Sequence, residues 1–148
     1  MQDLTLILKK CAGTPPNILS TLKMVQDAWG YVPADAVPQI AEALGVTDSD
    51  VAGVLSFYHD LRTEPPGRHI IRFCMGESCL ATHCEQALEV LKQATGCGLG
   101  ETSRDKRFTL EKVYCLGNCA LSPSMLIDGE LHGSFTSETV TAPLKGCP

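Results

Sequence analysis

Apolar positions recur at helical spacing in the first part of the chain and in short alternating runs in the second. Ile18, Leu19, Leu22, Val25 and Trp29 follow i, i+1, i+4, i+7, i+11, which predicts one buried helix face closed by Gly30. After a turn at Pro33, Pro38 suits the first position of a short helix that carries Ile40 and Leu44 and ends at Gly45. Thr47-Asp-Ser-Asp50 reads as a helix N-cap with an acidic residue three later. Val51, Val54, Leu55 and Tyr58 then give a third helix at i, i+3, i+4, i+7. Gly53 inside that helix costs about 1 kcal/mol against Ala, so it marks either a close backbone approach or a tolerated weakness. Three such helices enclose a small core, marginal alone and suited to docking on something else.

Glu64-Pro65-Pro66-Gly67 cannot lie inside a helix or strand and sets a boundary between residues 1–64, a three-helix bundle, and residues 68–148, an α/β domain. His69-Ile-Ile-Arg-Phe73 predicts a strand ending at Cys74, with the Cys74–Cys79 segment as a strand-to-helix loop. The helix that follows buries Cys84, Ala87, Leu88 and Leu91 at i, i+3, i+4, i+7. Gly96–Arg107 reads as a surface loop containing a free Cys97. Phe108–Tyr114 predicts a second strand, delivering the chain to Cys115 as the first delivers it to Cys74. Ser122–Ile127, the Asp128-Gly129 turn and Glu130–Gly133 make a hairpin. Val140 and Leu144 suggest half a helical turn, and Lys145–Pro148 a frayed end. That order of elements matches a small thioredoxin-like α/β layer.

The chemistry lies in the cysteines that close the two strands. Cys74 and Cys79 form one pair and Cys115 and Cys119 another, each with a glycine inside its loop, Gly76 and Gly117. A 2Fe-2S cluster takes four soft thiolates, one pair per iron, so two loops supply the ligand count. Structural zinc also takes four thiolates, but its usual knuckle has two residues between cysteines and neither loop keeps that spacing. A reversible disulfide in a thiol oxidoreductase is a third reading, and it lacks the Cys-X-X-Cys pattern. Either glycine could aim a backbone N–H at sulfur or simply permit positive φ in a tight turn. Cys84 falls on a buried helix face, and His83 and His132 are surplus once four cysteines fill the set. Glu77, between two candidate ligands, is expected to face solvent.

Composition narrows the setting. Eight cysteines in 148 residues would suggest disulfides in a secreted chain, yet Met1–Lys10 has too short an apolar run, with its charges after it, for a signal peptide. No stretch approaches the roughly 20 apolar residues of a membrane span, so a cytoplasmic chain with reduced thiols and no direct membrane contact is expected. A net charge of −5 with scattered Lys and Arg, and only 5% aromatic residues, argue against nucleic acid.

From roughly Pro16 to Leu144 the chain resembles the thioredoxin-like 2Fe-2S subunit family that partners the NADH-oxidising flavoprotein of complex I and its relatives. Val25-Gln-Asp-Ala-Trp-Gly-Tyr-Val-Pro33, Gly53-Val-Leu-Ser-Phe-Tyr58, both Cys loops and Leu126-Ile-Asp-Gly129 carry the resemblance. Ser56-Phe-Tyr-His-Asp60, Glu77 and Tyr114-Cys-Leu-Gly-Asn-Cys119 look most like the gamma subunit of NAD-dependent, molybdenum-containing formate dehydrogenase. The equivalent subunits of complex I or an NAD-linked hydrogenase are the alternative, and a zinc-stabilised structural adaptor is the alternative of another class. A shortened C-terminal helix and the polar Asn118 depart from the family pattern. The resemblance implies a non-catalytic, one-electron carrier in which Cys74 and Cys79 hold one iron and Cys115 and Cys119 the other. It also implies an FMN- and NADH-binding flavoprotein as neighbour and, through it, a molybdenum catalytic subunit.

Overall fold

A computed structural model describes residues 4–11 and 17–147; Met1–Asp3, Pro16 and Pro148, named in the sequence analysis, lie outside the described residues. The chain divides into two compact units, Met1–Pro65 and Pro66–Pro148.

The described part of the first unit holds α1 (Leu4–Cys11), α2 (Ile18–Trp29), α3 (Ala36–Leu44) and α4 (Asp48–Phe57). The three expected helices are present, and α1 precedes them because Leu4 and Ile7 bury one face of the N-terminal run. Asn17 caps α2 by accepting from the Leu19 amide at 2.9 Å, and Gly30 closes it at φ 83°. In α3 the helix starts two residues before Pro38, which still lies in the first turn, where a missing N–H costs nothing. Thr47 and Asp50 complete a reciprocal capping box on α4, with backbone-to-side-chain bonds of 3.0 and 3.2 Å. Leu22, Val25, Val32, Ile40 and Val51 are fully buried in this unit's core. Tyr58 ends α4 as its C-cap and is 40% exposed, so the buried stripe stops at Leu55. Nothing lies within 4 Å of a Cβ added at Gly53, which leaves tolerance as the account of that glycine.

The second unit is a five-stranded mixed sheet in the order β2-β3-β1-β4-β5. Its elements are β1 (His69–Cys74), α5 (Glu77–Ala81), α6 (Cys84–Thr95), β2 (Glu101–Thr102), β3 (Phe108–Val113), β4 (Ser124–Ile127) and β5 (Glu130–Gly133), with 3-10 turns at Cys119–Leu121 and Ala142–Gly146. Central β1 runs parallel to β3 and antiparallel to β4, and its Ile71 and Phe73 meet Leu91 of α6, Leu110, Met125 and Val140 in one core. Asp128 at φ 51° and Gly129 at φ 90° form the two-residue turn between β4 and β5.

Three local expectations are corrected. The Gly96–Arg107 stretch is not simply a surface loop: β2 pairs with β3, Cys97 and Ser103 are buried, and the Ser103 hydroxyl accepts from the Phe108 amide at 2.9 Å. The chain end is anchored through Cys147, which is 7% exposed and whose carbonyl accepts from the Arg107 guanidinium. Cys79 sits on the one-turn α5 instead of in a loop. Among the described residues, no helix is long and apolar enough to cross a membrane.

Candidate metal centre

The parallel register of β1 and β3 pairs Cys74 with Val113, so both strands finish at the same edge, and β3 needs only two more residues to reach Cys115. The Met75 amide extends the ladder by donating to the Val113 carbonyl at 2.7 Å. At Gly76 the two loops come so close that an added Cβ would lie 2.3 Å from the Tyr114 carbonyl oxygen. Gly76 has φ −74°, so its role is close approach, whereas Gly117, at φ 78° with open space around it, supplies a left-handed turn.

Cys74, Cys79, Cys115 and Cys119 line one recess of about 370 Å³, with Glu77, Ser78 and Tyr114 beside them. The pairs differ in burial: Cys74 and Cys79 are 3% and 2% exposed, while Cys115 and Cys119 are solvent-exposed. The Cys115 and Cys119 sulfurs are 3.8 Å apart. A metal with bonds of about 2.3 Å to two thiolates at a tetrahedral angle requires about that separation. Among the described residues, no three His, Cys, Asp or Glu side chains gather as a single metal ion would need. Cys115 and Cys119 stand as one close pair and Cys74 and Cys79 line the same recess, a four-thiolate donor set that fits a 2Fe-2S cluster.

Backbone amides already face the sulfurs. Gly117 N–H donates to Cys115 Sγ at 3.3 Å, and the amides of Gly76 and Leu116 act to lower the Cys74 pKa. Burial pushes the Cys74 thiol above its ordinary pKa; the Gly76 amide pulls it down, neighbouring Cys79 pushes it up, and Leu116 pulls it down. Cys119 is raised by its hydrogen bond with Cys115, by the Cys115 field, by desolvation and by the fields of Cys79 and Cys74. The two loops therefore act on each other electrostatically. Such N–H···S donors favour thiolate charge and raise the potential of a bound cluster.

Cys84 is fully buried in the core on α6, where burial raises its pKa, and it does not line the recess. Cys97 and Cys147 are buried elsewhere in the unit. His83 holds a left-handed φ of 56° ahead of α6, His132 lies on β5, and neither lines the recess. Glu77 is exposed yet borders the recess. Sequence reasoning missed Leu116, Ser78 and Ser122. Ser78 and Ser122 belong to no periodic pattern, and only the fold brings their hydroxyls to 2.9 Å.

The chain matches the thioredoxin-like 2Fe-2S ferredoxin family over residues 4–147. It is 42% identical over 127 residues to a subunit of the NADH-quinone oxidoreductase of Pseudomonas aeruginosa, covering 86% of this chain and 76% of that protein. Identity to the corresponding NADH-quinone oxidoreductase protein of Escherichia coli K12 is 38% over the same length and shares. The fold resembles a NAD+-reducing NiFe-hydrogenase structure at 22% identity and a TM-score of 0.72, over 90% of this chain but only 23% of that one.

Proposed function

This chain belongs to the thioredoxin-like 2Fe-2S ferredoxin family, and on that premise we propose that it is the electron-transfer subunit beside an FMN- and NADH-binding flavoprotein. Cys74 and Cys79 would hold one iron of the cluster, Cys115 and Cys119 the other. The observation that carries this reading is the convergence of one buried and one exposed cysteine pair on a single recess. When bound, a 2Fe-2S cluster exchanges one electron at a time, which suits it to a flavin whose hydride step moves two. The chain's own residues ligate, exclude water from the inner pair and direct amides at sulfur. The exposed pair, with Tyr114 at 72% exposure and Leu121 at 54%, marks the side on which a partner would meet the centre.

We propose further that the host is a molybdenum-containing, NAD-dependent formate dehydrogenase, with this chain as its gamma subunit. The Ser56–Asp60 segment, Glu77 and the Tyr114–Cys119 loop support it. A second reading, the equivalent subunit of a complex I, is favoured by the 38–42% identity to NADH-quinone oxidoreductase proteins.

Anaerobic purification with iron, zinc and acid-labile sulfide analysis, followed by EPR after dithionite reduction, tests the cofactor. About two irons and two sulfides per chain are expected; zinc without sulfide, and failure to reconstitute with iron, would leave a structural adaptor. Affinity capture from the native host tests the assembly. Co-purifying molybdenum and formate-dependent NAD reduction are expected; NADH-quinone activity without molybdenum would replace the formate reading by the complex I one.

A further inference from the structure

Two serines join the cysteine loops at a place where neither is required as a ligand. Ser78 lies between Cys74 and Cys79, and Ser122 follows Cys119 at the end of the 3-10 turn. Their hydroxyl oxygens are 2.9 Å apart. Both reach the Cys119 carbonyl, Ser122 at 2.8 Å and Ser78 at 3.2 Å, and Ser122 Oγ also lies 3.6 Å from Cys79 Sγ. We propose that Ser122 is a tuning residue that donates its O–H to the Cys79 thiolate, and that Ser78 is the positioning residue that keeps it aimed there. The proposal rests on the cluster reading of the four cysteines.

Donor and acceptor counts decide where each proton goes. Each hydroxyl has one proton, and the Cys119 carbonyl has two lone pairs. With Cys79 as a thiol, its S–H can donate to Ser122 Oγ, and the Ser122 proton is used on the Cys119 carbonyl. As a metal ligand the sulfur has no proton and becomes an acceptor. Ser78 then donates across the 2.9 Å contact to Ser122 Oγ, which turns the Ser122 proton from the carbonyl toward sulfur. Reduction adds one electron and no proton to the centre, so the Ser122 proton remains on oxygen while the negative charge it faces increases. A hydrogen bond to a charged acceptor strengthens with that charge, so the pair favours the reduced state and raises the potential. The effect falls on Cys79, in the buried pair, where a hydrogen bond is less screened by water.

The test compares wild type, Ser122→Ala, Ser78→Ala and Ser122→Thr by iron and sulfide content and by EPR-monitored redox titration. Wild type that binds no iron would refute the cluster reading itself, separately from the serine assignment. With the cluster present, Ser122→Ala is expected to retain iron and titrate at a lower midpoint potential. Ser78→Ala should shift the same way, because Ser122, without the donor on its oxygen, keeps its proton on the Cys119 carbonyl, and Ser122→Thr, which keeps the hydroxyl, should stay at the wild-type value. An unchanged potential in Ser122→Ala, or an equally lowered one in Ser122→Thr, overturns the proposal. If Ser122→Ala fails to hold the cluster, Ser78→Ala decides: a lowered potential supports the assignment and an unchanged one overturns it.

Discussion

Gly76 and Gly117 occupy equivalent places in the two cysteine loops, yet a methyl group at each meets a different obstacle. At Gly76 the obstacle is the Tyr114 carbonyl, 2.3 Å away on the other loop, and backbone cannot move aside without separating Cys74 from Cys115. At Gly117 there is room, and the cost is a left-handed φ, about 1–2 kcal/mol for an L residue. Gly76→Ala should therefore lose most of its iron while Gly117→Ala keeps it with reduced stability; equal iron per chain in the two variants would contradict the close-approach account. Cys84 presents the opposite case, a cysteine without a ligand's position. Cys84→Ser should retain iron and lose about 1–3 kcal/mol in chemical denaturation, the cost of a buried hydroxyl lacking a partner. Loss of iron in that variant would move Cys84 into the ligand set.

At the scale of elements, the strands that deliver the cysteines were legible because their apolar runs stop at the cysteines themselves, and the parallel register of β1 with β3 then aligns the two stops. What escaped the sequence reading was short. Helix α5 spans only Glu77–Ala81 and β2 only Glu101–Thr102, too few residues for a period to declare itself. Pro38 misplaced the start of α3 because proline is tolerated throughout a first turn as well as at its first position. The capping box of α4 was readable from Thr47 and Asp50 alone and carries its own prediction. Thr47→Ala removes an N-cap worth about 1 kcal/mol and should lower the denaturation midpoint of the chain. Asp50 is held below its ordinary pKa of 3.8 by hydrogen bonds from the Thr47 hydroxyl and amide. A depressed folded-state pKa stabilises above the unfolded value and ceases to do so as pH falls through the folded one. The wild-type advantage over Thr47→Ala should accordingly be complete above pH 3.8 and shrink below it; an advantage independent of acid would show that the carboxylate takes no part.

For the whole molecule, the question is how much of the chain the centre needs. The two candidate cysteine pairs were readable because each begins where an apolar strand run stops. The Gly117 amide was one of two readings its glycine offered, whereas the serine hydroxyls were not legible, since they meet only when the 3-10 turn returns beside α5. All of these groups lie within Pro66–Pro148, as do the sheet, α6 and the core formed by Phe73, Leu91, Leu110 and Met125. Among the described residues, those that line the recess all belong to Pro66–Pro148. A chain begun at Pro66 should therefore fold, bind the same iron and sulfide per chain, and give the reduced EPR signal of the full-length protein. The separated Met1–Pro65 piece should be less stable, because a chain of about 60 residues buries only about 60% of its unfolded surface. Exposed Phe57 at 73% and Tyr58 at 40% suit that unit to contact with a partner instead. If the shortened chain binds iron but no longer captures the flavoprotein, the two units divide the work between holding the electron and holding the assembly. If it loses iron, the first unit takes part in supporting the cysteine loops, and the self-sufficiency argued for the second unit is wrong.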